Sequence, residues 1–365
     1  MTGRTARTAT PSPQVVNVLA AAVRRAARLG FPFVGTENLL IALIDADGAG
    51  RVLGRGMLRA EAAARGSDHW AGDDAGSGGA PDGVGPGSAP DGAGPGGAPD
   101  DAVTALLREA HHRARHSARH RARQQTALPG SGALRECLGQ AIADARGGVL
   151  TTAHLASALL RAPSGRAAEL FTVRRVDVGA AVAAVRAAAE PEDAPAVGLL
   201  RKGGALRGEA GRGHVRWMFR VFARGNGLGG PVLVVVRNEA ERHAVRAGRS
   251  APAAIDLVAA VLALDDQLAS AGLRLRPEHE SGGAVALRAA GVDPVALLGA
   301  DVQPAEGELE RASAGARLVA ARRGDAVVGA EHLLVALLDD PADPIGPALR
   351  GLGVDPAGLR ASLGE

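Results

Sequence analysis

The chain has 365 residues, room for two or three domains, with 46% hydrophobic residues, 2% aromatics, no Tyr and a formal charge of only +3 at pH 7. So few rings argue against a β-sandwich core, which favours β-branched and aromatic side chains, and for closely packed helices of Ala, Leu and Val. The single Cys137 excludes an intramolecular disulfide, fits a reducing compartment and leaves no paired-Cys metal motif.

Residues 1–11 carry Arg4 and Arg7 without an apolar run behind them, so the expectation is a disordered tail rather than a signal peptide. Ser12-Pro13 reads as an N-cap followed by Pro at the first helical position. Val15, Val18, Leu19, Ala22 and Ala26 then keep helical spacing, with Arg24, Arg25 and Arg28 on the polar side and Gly30 as the stop. Gly35-Thr36-Glu37-Asn38-Leu39-Leu40 opens a second helix whose buried face is Leu39, Leu40, Leu43 and Ile44. A third short helix is expected near 50–58.

Residues 68–101 hold a near-nonapeptide Gly/Pro/Ala/Asp tract with little to bury, which predicts a flexible acidic insertion. A long basic helix follows over 102–125, with His112, His116 and His120 at four-residue spacing and His111 beside them. That spacing suits a transition metal, but Arg113, Arg115, Arg119, Arg121 and Arg123 would repel a cation, so no metal is expected. Ala133–Ala145, Val149–Leu160 and Ala167–Ala189 repeat the helical plan of residues 12–58. Residues 189–230 read as a linker, basic in its second half, with Trp217, Phe219 and Phe222 among the arginines. A worn third unit has helices at Glu239–Ala247 and Ile255–Leu264; Val232–Val236 could be a strand by itself, but the repeat register makes it helical. The fourth unit, Leu309–Leu363, contains Gly329-Ala330-Glu331-His332-Leu333-Leu334 and closes on Leu352-Gly353-Val354-Asp355.

Four copies of one unit make an internal repeat. With its Arg28-Leu29-Gly30, Gly35-Thr36-Glu37-Asn38-Leu39-Leu40 and Val52-Leu53, the unit resembles the Clp N-terminal (Clp repeat) domain, the substrate-receiving module of Clp ATPase C-type unfoldases. The resemblance implies an all-α fold: two pseudo-two-fold bundles, each of two four-helix repeats, at 12–188 and 231–365, joined by flexible linkers. It also implies a non-catalytic protein of the Clp proteolysis system, acting as adaptor, decoy or sequestering homologue. Its partners would be peptides, degrons, phosphoarginine proteins or cyclic-peptide ligands, and Clp ATPase or protease subunits. In the family the Glu of Thr-Glu-His holds a guanidinium and a hydroxyl starting the repeat's first helix faces the phosphate. Carried over, Ser12, Thr36 and Glu37 form one pocket. Glu331 matches in the fourth unit, where the hydroxyl position falls on Glu306. Ala153 and Ile255 replace the Glu in units two and three.

Catalytic machinery is not legible. The only lysine, Lys202, precedes Gly203-Gly204, so there is no phosphate-binding Gly-x-x-x-x-Gly-Lys-Ser/Thr loop, and neither a Gly-x-Ser-x-Gly elbow nor a His-Glu-x-x-His motif occurs. No cofactor and no enzyme activity are expected. A nucleic-acid or regulatory role through the basic segments 108–123 and 201–224 is the alternative, disfavoured by the balanced charge elsewhere. No apolar run approaches the roughly 18 residues of a membrane span, and the expected location is cytoplasmic.

Overall fold

The computed structural model describes residues 9–46, 52–53, 98–117, 127–209, 230–300, 302, 304–305, 307–340 and 345–364. It is mostly helical, and the chain divides into two compact units, Met1–Glu192 and Asp193–Glu365.

The first unit contains helices α1 (Pro13–Arg28), α2 (Thr36–Ile44), α3 (Ala98–Ser117), α4 (Gly132–Asp144), α5 (Thr152–Arg161), α6 (Arg166–Val173) and α7 (Val178–Ala187). Their sequence logic is visible at the ends. Ser12 caps α1 by accepting the Val15 N–H, Ser131 does the same for α4 through Leu134, and Asp177 caps α7 through Ala180. Burying Leu19, Leu39, Leu43, Leu106, Leu138, Leu155 and Leu159 among alanines gives a core of small aliphatic side chains. Each fully buried Leu contributes on the order of 2 kcal/mol.

Two short strands tie the repeats of this unit together. Strand β1 (Thr10–Pro11) pairs in parallel with β2 (Val149–Leu150), and Val34 bridges in the same sense to Gly130. Each pairing joins the residues before the first helix of one repeat to the residues before the second helix of the other. Residues 10–11, expected to belong to a disordered tail, are therefore held in a parallel ladder with Ala9 buried before them, while 1–8 lie outside the described residues. Val149-Leu150, expected at the start of a helix, form the partner strand.

The second unit holds α8 (Pro195–Gly203), α9 (Pro231–Ala247), α10 (Ala254–Ala271), a 3-10 turn (Pro277–His279), α11 (Gly283–Ala289), α12 (Pro294–Leu298), α13 (Glu308–Arg323), α14 (Ala330–Asp339), α15 (Ile345–Gly351) and α16 (Pro356–Ser362). Helix α8 corrects the linker reading of 189–230. Its Ala196 N–H donates to Gln267 on α10, Gln267 donates to the buried Glu239 on α9, and Leu206 bridges to Leu275. Residues 210–229 of that segment, with Trp217, Phe219 and Phe222, lie outside the described residues. So do 54–97, covering most of the low-complexity tract, and 118–126. Asp100 and Asp101, placed in the insertion by sequence, lie in the first turn of α3. The stretch 167–189 breaks into α6 and α7 at Arg175, whose φ is +52°; Gly291 and Gly353 take the same left-handed turn in the third and fourth repeats.

Candidate functional site

The second helices of the four repeats, α2, α5, α10 and α14, begin in the same way. The third helical residue reaches back to accept the N-cap N–H: Asn38 from Gly35 at 3.0 Å, His154 from Thr151 at 3.1 Å, Asp256 from Ala253 at 2.9 Å and His332 from Gly329 at 2.8 Å. This backward cap explains why Asn, His and Asp interchange at one register position; only at α5 is it reciprocal, the Thr151 hydroxyl accepting the His154 N–H. Because His332 Nδ1 accepts, its Nε2 carries the proton and donates to Asp325 Oδ2 at 2.8 Å. Asp256 pairs with Arg249 at the same two positions of the third repeat, and in the first these positions hold Asn38 and Phe31. Burial pushes the Asp256 carboxyl up, opposed by the Ala253 N–H and Arg249. Burial pulls the His154 imidazole down, with Asp144 and Glu192 pulling the other way.

The first turns differ. At α2, Glu37 is nearly buried and the guanidinium of Arg166, the first residue of α6, lies 3.5 Å from its Oε1. The same guanidinium stands 5.8 Å from the centre of the Phe31 ring. Thr36 is fully buried and its hydroxyl accepts the Ala167 N–H at 3.2 Å. At α5, where Ala153 replaces the Glu, the carboxylate arrives from elsewhere. Glu192 accepts from the Thr152 N–H at 2.9 Å, from the Thr152 hydroxyl and from the Ser12 hydroxyl. At α10, where Ile255 replaces it, Glu308 accepts from the Ala254 N–H and from the Ala305 N–H. Each of these starts thus has at least one acid against its positive dipole end.

Helix α14 is the fourth case. Glu331 folds over its own N-cap glycine, its Oε1 is 3.7 Å from His332 Nδ1, and its side chain is 22% exposed. Its Oε2 is buried and has no hydrogen-bond partner among the described residues. The register that places Arg166 and Ala167 at α2 places Gly282 and Gly283 at α14. Gly283 packs directly on α14, since a Cβ there would meet the Glu331 nitrogen at 3.3 Å, whereas a Cβ on Gly282 would meet nothing within 4 Å. No side chain from α11 stands where Arg166 stands in the first unit.

These contacts change the assignment of Ser12. It does not share a pocket with Glu37: the Ser12 N–H donates to Leu150 O at 2.9 Å and its hydroxyl goes to Glu192 at the start of α5. The hydroxyl carried toward α2 by the parallel pairing is that of Ser131, whose N–H donates to Val34 O at 3.0 Å. The cause is the exchange of strands between repeats, which brings the start of the first helix of one repeat beside the start of the second helix of the other. By the same topology Gly230, next to Val327 and Val328, takes the corresponding place near α14. Glu306, given that role from sequence, lies outside the described residues.

A cleft of about 480 Å³ opens beside Glu192, with Gln14, Asn17, Asp45, Thr152 and Glu190 in its wall. On α3, His112 and His116 have ring centroids 4.3 Å apart, and His111 Nε2 meets Leu128 O at 2.8 Å. Burial lowers the pKa of His111 and of His112, the latter helped by His116 and Arg115. Among the described residues no group of three or more His, Cys, Asp and Glu side chains could hold a metal ion, and no helix is long and apolar enough to cross a membrane. Sequence reasoning missed Arg166, Glu192, Glu308 and Ser131. The repeat register, which aligns Arg166 with Gly282, was the available signal for the first of them. No family model, no curated protein and no solved structure matches the chain.

Proposed function

We propose that the chain is a non-catalytic peptide-binding protein built on Clp-type repeats, acting as an adaptor or decoy that takes a basic side chain of a peptide or degron at Glu331. The observation that carries the reading is that Glu331, whose Oε2 is buried without a hydrogen-bond partner, makes no ion pair with an arginine among the described residues, whereas the matching Glu37 has the Arg166 guanidinium 3.5 Å away. Taking a guanidinium or ammonium would give that carboxylate charge-assisted hydrogen bonds, which are roughly twice as strong as neutral ones. The resemblance to the Clp N-terminal domain supports the same chemistry, since there a first-turn Glu receives a guanidinium.

The ligand chemistry favoured is an unmodified Arg or Lys rather than phosphoarginine. Near α14 the N-cap of the neighbouring first helix is Gly230, which offers no hydroxyl to a phosphate, whereas the α2 counterpart is Ser131. A capped Ala-Arg-Ala peptide titrated calorimetrically into the full chain tests this. Saturable binding that weakens at least about tenfold in Glu331→Gln is expected, equivalent to about 1.4 kcal/mol. Equal affinity of the two proteins removes Glu331 from the site.

A further inference from the structure

We propose that Arg166 is an in-chain ligand: its guanidinium fills the Glu37 seat that would otherwise accept a basic side chain from outside, so the chain carries one open seat, at Glu331, and a closed twin. The inference rests on the reading of these helix starts as side-chain seats, and adds the device that closes one of them.

Three features carry it. Arg166 opens α6, where the positive end of the helix dipole disfavours a cation, so helix formation does not call for an arginine there. Its guanidinium lies between a nearly buried carboxylate and the face of Phe31, the combination of partners that suits a guanidinium ligand. In the second unit the same register position is Gly282, with open space around the missing Cβ, and there the matching carboxylate keeps a buried oxygen without a partner among the described residues. An external arginine at Glu37 must therefore displace a group tethered at an effective concentration of roughly millimolar or more, while one at Glu331 displaces no α11 side chain.

The test copies the second unit into the first. The capped Ala-Arg-Ala peptide is titrated calorimetrically into wild type, Arg166→Gly, and Arg166→Gly combined with Glu37→Gln. One site in wild type, two in Arg166→Gly and one again in the double variant are expected. A second site that persists in the double variant, or a stoichiometry that stays at one in Arg166→Gly, overturns the proposal while leaving the Glu331 reading intact. Absence of wild-type binding overturns the Glu331 reading; a site gained in Arg166→Gly and lost in the double variant would still support closure by Arg166. Should Arg166→Gly unfold alone, the peptide must restore its circular-dichroism signal and raise its Tm more than it raises that of wild type. Failure to do so counts against the proposal.

Discussion

The starts of α2 and α14 share a register, an apolar following run and a first-turn glutamate, yet they solve the electrostatics of that glutamate differently. At α2 the acid is nearly buried and faces Arg166, with Phe31 beside the guanidinium. At α14 the acid is partly exposed, Gly282 replaces the arginine, and Asp325 replaces the phenylalanine. A cation arriving at α14 would meet Glu331 and, one loop away, Asp325, which already accepts from His332. The same motif glutamate is thus half of an internal ion pair in one unit and, in the other, a partly exposed acid with no arginine paired to it among the described residues. Local motif quality does not decide which; a residue from another repeat does.

The sharpest way to break the comparison is to remove the arginine. Arg166→Ala leaves the Glu37 carboxylate buried without that guanidinium, and stability should drop by about 3 kcal/mol, as when one partner of a buried pair is deleted. Glu331→Gln, in contrast, should leave urea stability within about 0.5 kcal/mol of wild type, because its Oε2 has no hydrogen-bond partner among the described residues and its Oε1 stands 3.7 Å from the accepting Nδ1 of His332. Equal losses in the two variants would abolish the distinction. Next in size is Glu192→Ala, which strips the acceptor from the Ser12 hydroxyl and from both Thr152 donors. A loss of about 2 kcal/mol is expected from charge-assisted bonds of this kind, and an unchanged denaturation midpoint would show that Glu192 is not a cap.

Arg175→Gly should act in the opposite direction. The residue holds φ at +52° where the third and fourth repeats use glycine, so relief of left-handed strain should add up to about 1 kcal/mol despite glycine's extra unfolded-state entropy. A lower Tm would show that the arginine side chain outweighs the strain. The smallest effect per group is acidification. His154 and His111 are held below the ordinary imidazole value of about 6.5 by burial. A depressed folded-state pKa means that their contribution is present above that value and is lost as pH falls through it. Melting between pH 7.5 and 5.5 should therefore show a falling Tm, and His154→Gln should flatten part of the slope. Asp256, whose carboxyl is pushed up, acts in the opposite sense in the lower range of carboxyl titration.

Most helices were legible because the apolar spacing and the stops at Gly30, Gly248 and Gly324 are local signals. The register even favoured a helix over Val232–Val236, where composition by itself suggests a strand. What stayed hidden is non-local. Nothing near Ser12 announces that residues 10–11 pair with 149–150, so its hydroxyl was grouped with Glu37 in its own repeat rather than with Thr152 in the next. Glu192 sits in a Pro/Glu/Asp stretch that reads as linker, and its role as an acceptor depends on two helices distant in sequence. Arg166 looks like an ordinary helix residue until α6 is set against α2.

The central claim is that the α14 start is open to a basic side chain while the α2 start is filled from within. Its most direct test is a nuclear magnetic resonance titration of the full wild-type chain with the capped Ala-Arg-Ala peptide, following the backbone amides of Gly329–His332 and of Gly35–Asn38 together. Saturable shifts at Gly329–His332, with Gly35–Asn38 unmoved over the same range, are the expected result. Shifts of similar size and midpoint at both helix starts, or shifts at Gly35–Asn38 alone, would contradict it.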